Sequence, residues 1–166
     1  MSSTNKHAGF TLIELIVVIA IMTLFFGISI ANYNGFTSEK KFDAEVKKFV
    51  DILELAKSKA RAGDIGGFSC EDFDGYEVSF ADPNYFLRMC CDNVCTSFNT
   101  ISTYSFPAGV TATLSGATEI RFHPLSFALD SPNPITITIN SGTLNKCVEV
   151  TISTNGLIEE GAKYAC

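Results

Sequence analysis

The feature that most constrains this chain is a single apolar run. From Phe10 to Ala31 it holds 22 residues and one charge, Glu14. As an α-helix the run is about 33 Å long, enough for a bilayer core of roughly 30 Å. Its Ile and Val content does not argue for a strand, because a lone strand leaves its backbone unsatisfied in lipid and a helix does not. Ahead of the run stand Met1 to Gly9, polar and weakly basic through Lys6 and His7. A secretory signal places its small-residue cleavage site after the apolar core. Here the small pair Ala8-Gly9 comes before it. A cut after Gly9 would keep the apolar helix in the mature protein.

Helical periodicity continues beyond the run. Asn32-Tyr33-Asn34-Gly35 loosens the pattern without a proline. Phe42, Val46, Phe49, Val50, Leu53, Ala56 and Ala60 then form one apolar stripe at helical spacing, with charges on the other faces. Glu54 with Lys57, and Asp43 with Lys47, are spaced as supportive pairs. Gly63 is the expected stop, with Gly66-Gly67 just beyond. At the other end, Thr11 and Glu14 have the spacing of a capping box, and an acid in the first turn suits the helix dipole. One helix from Phe10 to Arg61 would be about 78 Å long. The simplest account is a spine whose first part lies in a membrane or filament core and whose second part lies under a globular head.

The remainder reads as β-structure: short alternating segments bounded by turn residues. Expected strands are Tyr76 to Phe80, Tyr85 to Cys90, Phe98 to Phe106, Val110 to Leu114, Glu119 to His123, Ile135 to Ile139, Lys146 to Ser153 and Leu157 to Glu159. Asp82-Pro83-Asn84, Pro107-Ala108-Gly109, Ser115-Gly116 and Asn140-Ser141-Gly142 supply turns, and Asn155-Gly156 is a strong hairpin signal. The fold class is therefore α+β: a long N-terminal helix packed on a mostly antiparallel sheet.

The leader and helix start, through Lys6, Gly9, Phe10, Thr11, Leu12 and Glu14, resemble the class III signal of type IV prepilins and type II secretion pseudopilins. The resemblance implies that a prepilin peptidase cuts after Gly9 and N-methylates the new Phe10. It also implies that Glu14 neutralises the Phe10 amine of a neighbouring subunit during assembly. A carboxylate deep in a membrane costs roughly 2.5–3.5 kcal/mol, which invites such a partner. The implied layout is a leader at 1–9, a transmembrane or filament-core helix at 10–31, its amphipathic continuation at 32–62 and a β-rich head at 63–166. Within the superfamily the head is similar to the H-type minor pseudopilins and the FimT-like minor pilins. Ile120-Arg121-Phe122-His123-Pro124 resembles that branch's strand ending in Phe-x-Pro, and Val148-Glu149-Val150 through Asn155-Gly156 resembles its last hairpin. Ser126 departs from the branch, which often has Gly there.

Charge narrows the partners. From Ala62 to Cys166 there are 4 basic residues (Arg88, Arg121, Lys146, Lys163) against 12 acidic ones, a net of −8. Such a head is a poor surface for nucleic acid, whose binding leans on phosphate neutralisation. FimT-like DNA-uptake pilins carry Gly-Arg-x-Arg in the last hairpin. Here the stretch is Gly156-Leu157-Ile158-Glu159-Glu160.

All six cysteines, Cys70, Cys90, Cys91, Cys95, Cys147 and Cys166, lie in the head. An exported head favours disulfides, and sequence alone leaves 15 pairings open. Zinc would want C-x-x-C pairs or His, and the spacing is absent. Adjacent Cys90 and Cys91 point to opposite sides of a strand and should have different partners. A Cys147–Cys166 bridge would pin the chain end. Asp72 with Asp74, and Asp130 with Asn133, could bind a cation, though solvated loop acids are the plainer reading.

Catalytic constellations have little to build with. His123 is the only His outside the leader, and Gly63 to Gly67 follows a helix rather than a strand. No enzyme activity and no cofactor are expected. The expected role is a minor pseudopilin or pilin supporting protein secretion, single-pass in the bacterial inner membrane with its head in the periplasm. Its partners would be the prepilin peptidase, the inner-membrane assembly platform and other pilins. The alternatives are a ligand-binding tip pilin, for adhesion or DNA uptake, and a major pilin.

Overall fold

The structure, a computed structural model, describes residues 10–115, 117–126, 129 and 131–166, and for 27–34 the backbone alone. The segment 1–9, with Gly9, lies outside the described residues, as do Gly116 and Asp130. By its internal contacts the chain divides into two compact units, Met1–Lys40 and Lys41–Cys166.

Helix α1 spans Leu12–Ala62. Thr11 caps it: its Oγ1 accepts from the Glu14 N–H at 3.3 Å, satisfying one of the donors a helix start leaves over. At the far end Gly63 adopts φ 62°. That allows Gly63 N–H to reach Ala60 O and Asp64 N–H to reach Lys59 O, both at 3.1 Å. The pair of bonds is a Schellman stop, which uses glycine because it tolerates the left-handed conformation.

In the first unit every large apolar side chain from Phe10 to Phe26 that is exposed lies at 42% or more, with Phe10 at 84%. Among the described residues no helix is long and apolar enough to cross a membrane. The sequence's apolar run continues through 27–31, whose side chains lie outside those described.

The second unit is a two-sheet head on the last turns of α1. Its strands are β1 (Gly75–Ala81), β2 (Asn84–Cys90), β3 (Phe98–Ser105), β4 (Val110–Ser115), β5 (Glu119–Phe122), β6 (Ile135–Ser141), β7 (Lys146–Ile152), β8 (Ile158–Glu160) and β9 (Tyr164–Ala165). One sheet has the order β3-β2-β1-β5, the other β4-β6-β7-β8 with β9 also on β7. The named pairings are antiparallel. The eight expected strands are present within two residues at each end. The two-residue β9 carries no pattern of its own and is held by its pairing with β7. The Asn155-Gly156 hairpin closes wider than a two-residue turn: β7 and β8 meet at Ile152↔Ile158, and Ser153 N–H reaches Leu157 O at 2.9 Å.

The core follows the helical and strand periods. Phe42, Val46, Phe49, Leu53, Ala56 and Ala60 are buried on α1, joined by Ile52, while Val50 is partly buried. In β6 Ile135, Ile137 and Ile139 are buried and Thr136 and Thr138 less so, the alternation of a sheet with one covered face. Phe49 sits at the centre, its ring 5.4 Å from Tyr85, 5.8 Å from Phe80 and 5.9 Å from Phe106. Of the two expected helix pairs, Glu54 holds Lys57 at 3.1 Å. Asp43 instead pairs with Lys163 of the chain end at 2.8 Å. Local spacing could not foresee a partner 120 residues away.

Candidate functional site

Two places in the molecule carry the candidate functional residues. The first is the helix start. Phe10 is 84% exposed just before α1, and Glu14 lies in its first turn. Glu14's backbone is capped by Thr11, so the residue helps to begin its own helix and leaves a carboxylate on an apolar surface. Gly9, the expected cleavage position, lies outside the described residues.

The second is the cysteine-rich end of the first sheet. Three disulfides join Cys70 to Cys91, Cys90 to Cys95 and Cys147 to Cys166. Cys90 and Cys91 thus have different partners. The first two bridges fold residues 91–97 into a compact loop. Asp92 organises it, accepting from the Thr96 hydroxyl at 2.5 Å, the Thr96 and Ser97 N–H groups at 2.8 Å and the Val94 N–H at 3.2 Å. The Thr96 hydroxyl foremost, with the backbone donors, holds the Asp92 carboxyl below its ordinary pKa.

This loop covers a row of charges on the sheet face away from the core. Register places Arg88 of β2 opposite Glu77 of β1, and Glu77 opposite Arg121 of β5. Glu77 and Arg121 are buried, with side chains only 6% and 8% exposed. Arg121 donates to the Glu77 carboxylate at 3.0 Å, to Asn93 O at 3.1 Å and to Val94 O at 3.3 Å. A buried guanidinium needs such acceptors, because its desolvation is otherwise unrepaid. Sequence reading missed this row. A Glu alternating with Tyr76 and Val78 reads as a solvent-facing strand residue, and nothing local says that a loop will cover it.

Asp72 and Asp74, the expected cation candidates, line a hollow of about 330 Å³ with Asp92 and Asn93. Two of its three acids are engaged: Asp74 faces His123 at 3.4 Å and Arg121 at 4.0 Å, and Asp92 serves the loop. Among the described residues the tightest set of metal-type donors is Glu77, Cys90 and Cys95. Both of its sulfurs are joined to each other, and its carboxylate is held by Arg121.

At the chain end, Cys166 is tied to Cys147, Tyr164 donates to Glu149 at 2.8 Å, and Lys163 reaches Asp43. Closing the 19-residue separation should contribute about 3 kcal/mol in the chain-entropy model. Removing both cysteines by Cys147→Ser and Cys166→Ser is expected to lower stability by that amount and to loosen β9. Thiol counting under denaturing conditions checks the framework. Protein from an oxidising compartment should show none, and six titratable thiols would exclude it.

The sequence matches the prokaryotic N-terminal methylation motif over residues 4–30. No curated protein matches it significantly. The fold is similar to that of the type IV minor pilin FimU of Pseudomonas aeruginosa strain PAO1. The TM-score is 0.59 at 15% identity, covering 76% of this chain and 92% of that one. At that identity the likeness speaks for the fold, a helix packed on antiparallel sheets, while the motif speaks for the N-terminus. The chain thus joins a prokaryotic N-terminal methylation motif at residues 4–30 to a helix-and-sheet fold similar to that of a type IV minor pilin.

Proposed function

We propose that the chain is a minor pilin-type structural subunit rather than an enzyme. It is cut after Gly9 by a prepilin peptidase, N-methylated on Phe10 and assembled through α1 into a type II secretion pseudopilus or type IV pilus that supports protein secretion. The observation that carries this reading is the methylation motif at 4–30 leading into a helix whose apolar side chains are exposed from Phe10 to Phe26. Exposed apolar surface of that extent needs lipid or neighbouring helices. Before assembly, residues 10–31 anchor the chain in the inner membrane with the head outside the cytoplasm, where disulfides persist. Residues 32–62 continue the helix, and 63–166 form the head. The assembly platform and other pilins are the partners. DNA is disfavoured by the acidic head and by the last hairpin, where Gly156-Leu157-Ile158-Glu159-Glu160 lacks the arginines of the Gly-Arg-x-Arg motif and carries acids.

Intact-mass analysis of membrane-extracted protein tests the processing. The mature chain should begin with N-methyl-Phe10, and an uncut Met1 would defeat the reading. Glu14 supplies the second test. An incoming Phe10 ammonium without a carboxylate partner carries a desolvation cost of several kcal/mol in an apolar core. Glu14→Ala should still insert and still be cut, but its recovery in sheared filaments should fall by more than about tenfold. Glu14→Gln should fall between, since an amide accepts a hydrogen bond without neutralising the amine. Normal incorporation of Glu14→Ala would leave Glu14 as a helix-start residue only.

A further inference from the structure

The charge row has an unfinished end. Arg121 donates three bonds at one side of Glu77, although its Nε too is buried without a hydrogen-bond partner, whereas Arg88 at the other side donates none. The Arg88 Nη1 lies 3.8 Å from Glu77 Oε1, beyond hydrogen-bond distance. Glu77's other oxygen is already taken by Arg121 at 3.0 Å. The Arg88 Nε is buried without a hydrogen-bond partner. Among the described residues no acceptor takes any of its N–H groups. Buried guanidinium donors without acceptors are rare enough to need an explanation.

The surroundings hold this guanidinium in place. Its Cζ stands 4.3 Å from the Phe98 ring centroid and 5.1 Å from that of Phe86. Its side chain is 25% exposed, and Phe98 is 42% exposed beside it. A register shift between Leu87 and Arg88 in the β2–β3 pairing sets Arg88 opposite Thr100, and Phe86 opposite Thr103. Both threonines are exposed. β3 is one of the two edge strands of its sheet, and its eight residues contain no charge and no proline. Edge strands that must stay unpaired are usually blunted by such residues.

We propose that Phe86, Arg88, Phe98 and Thr100 form an anchor for a carboxylate-bearing segment of a partner protein, laid along the β3 edge. The guanidinium fork pairs with a carboxylate in two parallel bonds, and the rings fix its plane. Arginine flanked by aromatics is the composition of an interface hot spot. The occupant carries an isolated acidic side chain rather than a polyanion. A head of net −8 repels a phosphate backbone, whereas one Asp or Glu completes the half-shared counter-charge of Arg88. The contact belongs to the head and stands apart from insertion of the helix into a filament.

The test uses the full-length chain in its native envelope, with a photoreactive phenylalanine analogue at Thr103. The crosslinked partner segment is sequenced by mass spectrometry. One protein segment containing Asp or Glu is expected. Arg88→Gln should lower its yield about 30-fold, and Arg88→Lys, which keeps the charge but loses the fork, about tenfold. Arg88→Glu should abolish the adduct, and exchanging the partner's acid for Arg should restore it. Thermal unfolding of Arg88→Lys should match the parent within a few degrees, which separates lost contact from lost fold. Intact mass and filament recovery in the same samples separate it from failed assembly. No protein adduct, an adduct with nucleic acid or lipid, or a yield unchanged in Arg88→Gln would overturn the proposal.

Discussion

Arg121→Met is expected to destabilise the head by about 3–5 kcal/mol, the cost of removing one partner from a buried ion pair. The substitution keeps most of the stem's volume and removes the charge. Glu77, 6% exposed, would then keep only Arg88 at 3.8 Å. Asn93 O and Val94 O would lose their donor, so the loop closed by Cys90 and Cys95 would lose its seat on the sheet. The reverse change, Glu77→Leu, should cost a similar amount. Glu77→Leu with Arg121→Met should recover much of the loss, since replacing both charges of a buried pair by apolar side chains is often near neutral. Denaturant unfolding followed by far-ultraviolet circular dichroism measures all three, and the coupling is read from the double-mutant cycle. Added salt should change the result little, because the pair is sheltered from mobile ions. A loss below about 1 kcal/mol for the single variant would mean that water or a rearranged loop satisfies the remaining charge.

Phe49→Ala is the second large effect, again about 3–5 kcal/mol. Phe49 is fully buried where α1 meets both the Tyr85 ring and Phe80 and Phe106. Truncation removes the ring's transfer energy and leaves a cavity that rigid aromatic neighbours cannot collapse into. Because a domain's whole stability is about 5–15 kcal/mol, the variant should lose a large share of it. Phe49→Leu should cost roughly a third as much. Leu55→Ala, on the same helix but 40% exposed, is the control and should cost under about 1 kcal/mol. Unfolding midpoints give the order directly. Equal losses at Phe49 and Leu55 would mean that α1 is not the support of the head.

These effects divide along a physical line. The helix was legible because its signals are local. Thr11 caps three residues ahead of Glu14, the stripe from Phe42 to Ala60 repeats at the helical period, and Gly63 supplies the left-handed stop. The β-segments were legible for the same reason, since alternation in Ile135 to Ile139 states which face is covered. Gly75 shows the limit of such reading. At φ 109° it lies so close to Phe122 O that a Cβ would collide with that carbonyl. Its need is set by β5, which the chain reaches only after four other strands.

The charge row and the cysteine pairing are decisions of the tertiary structure. Fifteen pairings were open to six cysteines, and only the approach of residue 70 and of the 91–97 loop to the end of β2 selects among them. Glu77 and Arg121 stand 44 residues apart. Nothing in either segment marks the other as its partner until β5 pairs with β1. Asp43 had a local candidate in Lys47, and the structure gives it Lys163, because the chain end is tied down by Cys166 and β9. The sequence by itself determined the apolar helix, its caps, its buried stripe and the alternating strands, since each depends on the backbone's own periods of 3.6 and 2. Which charges are buried, which cysteines meet and which arginine is left without an acceptor depend on distances between strands far apart in the chain, and these exist only once the two sheets have formed.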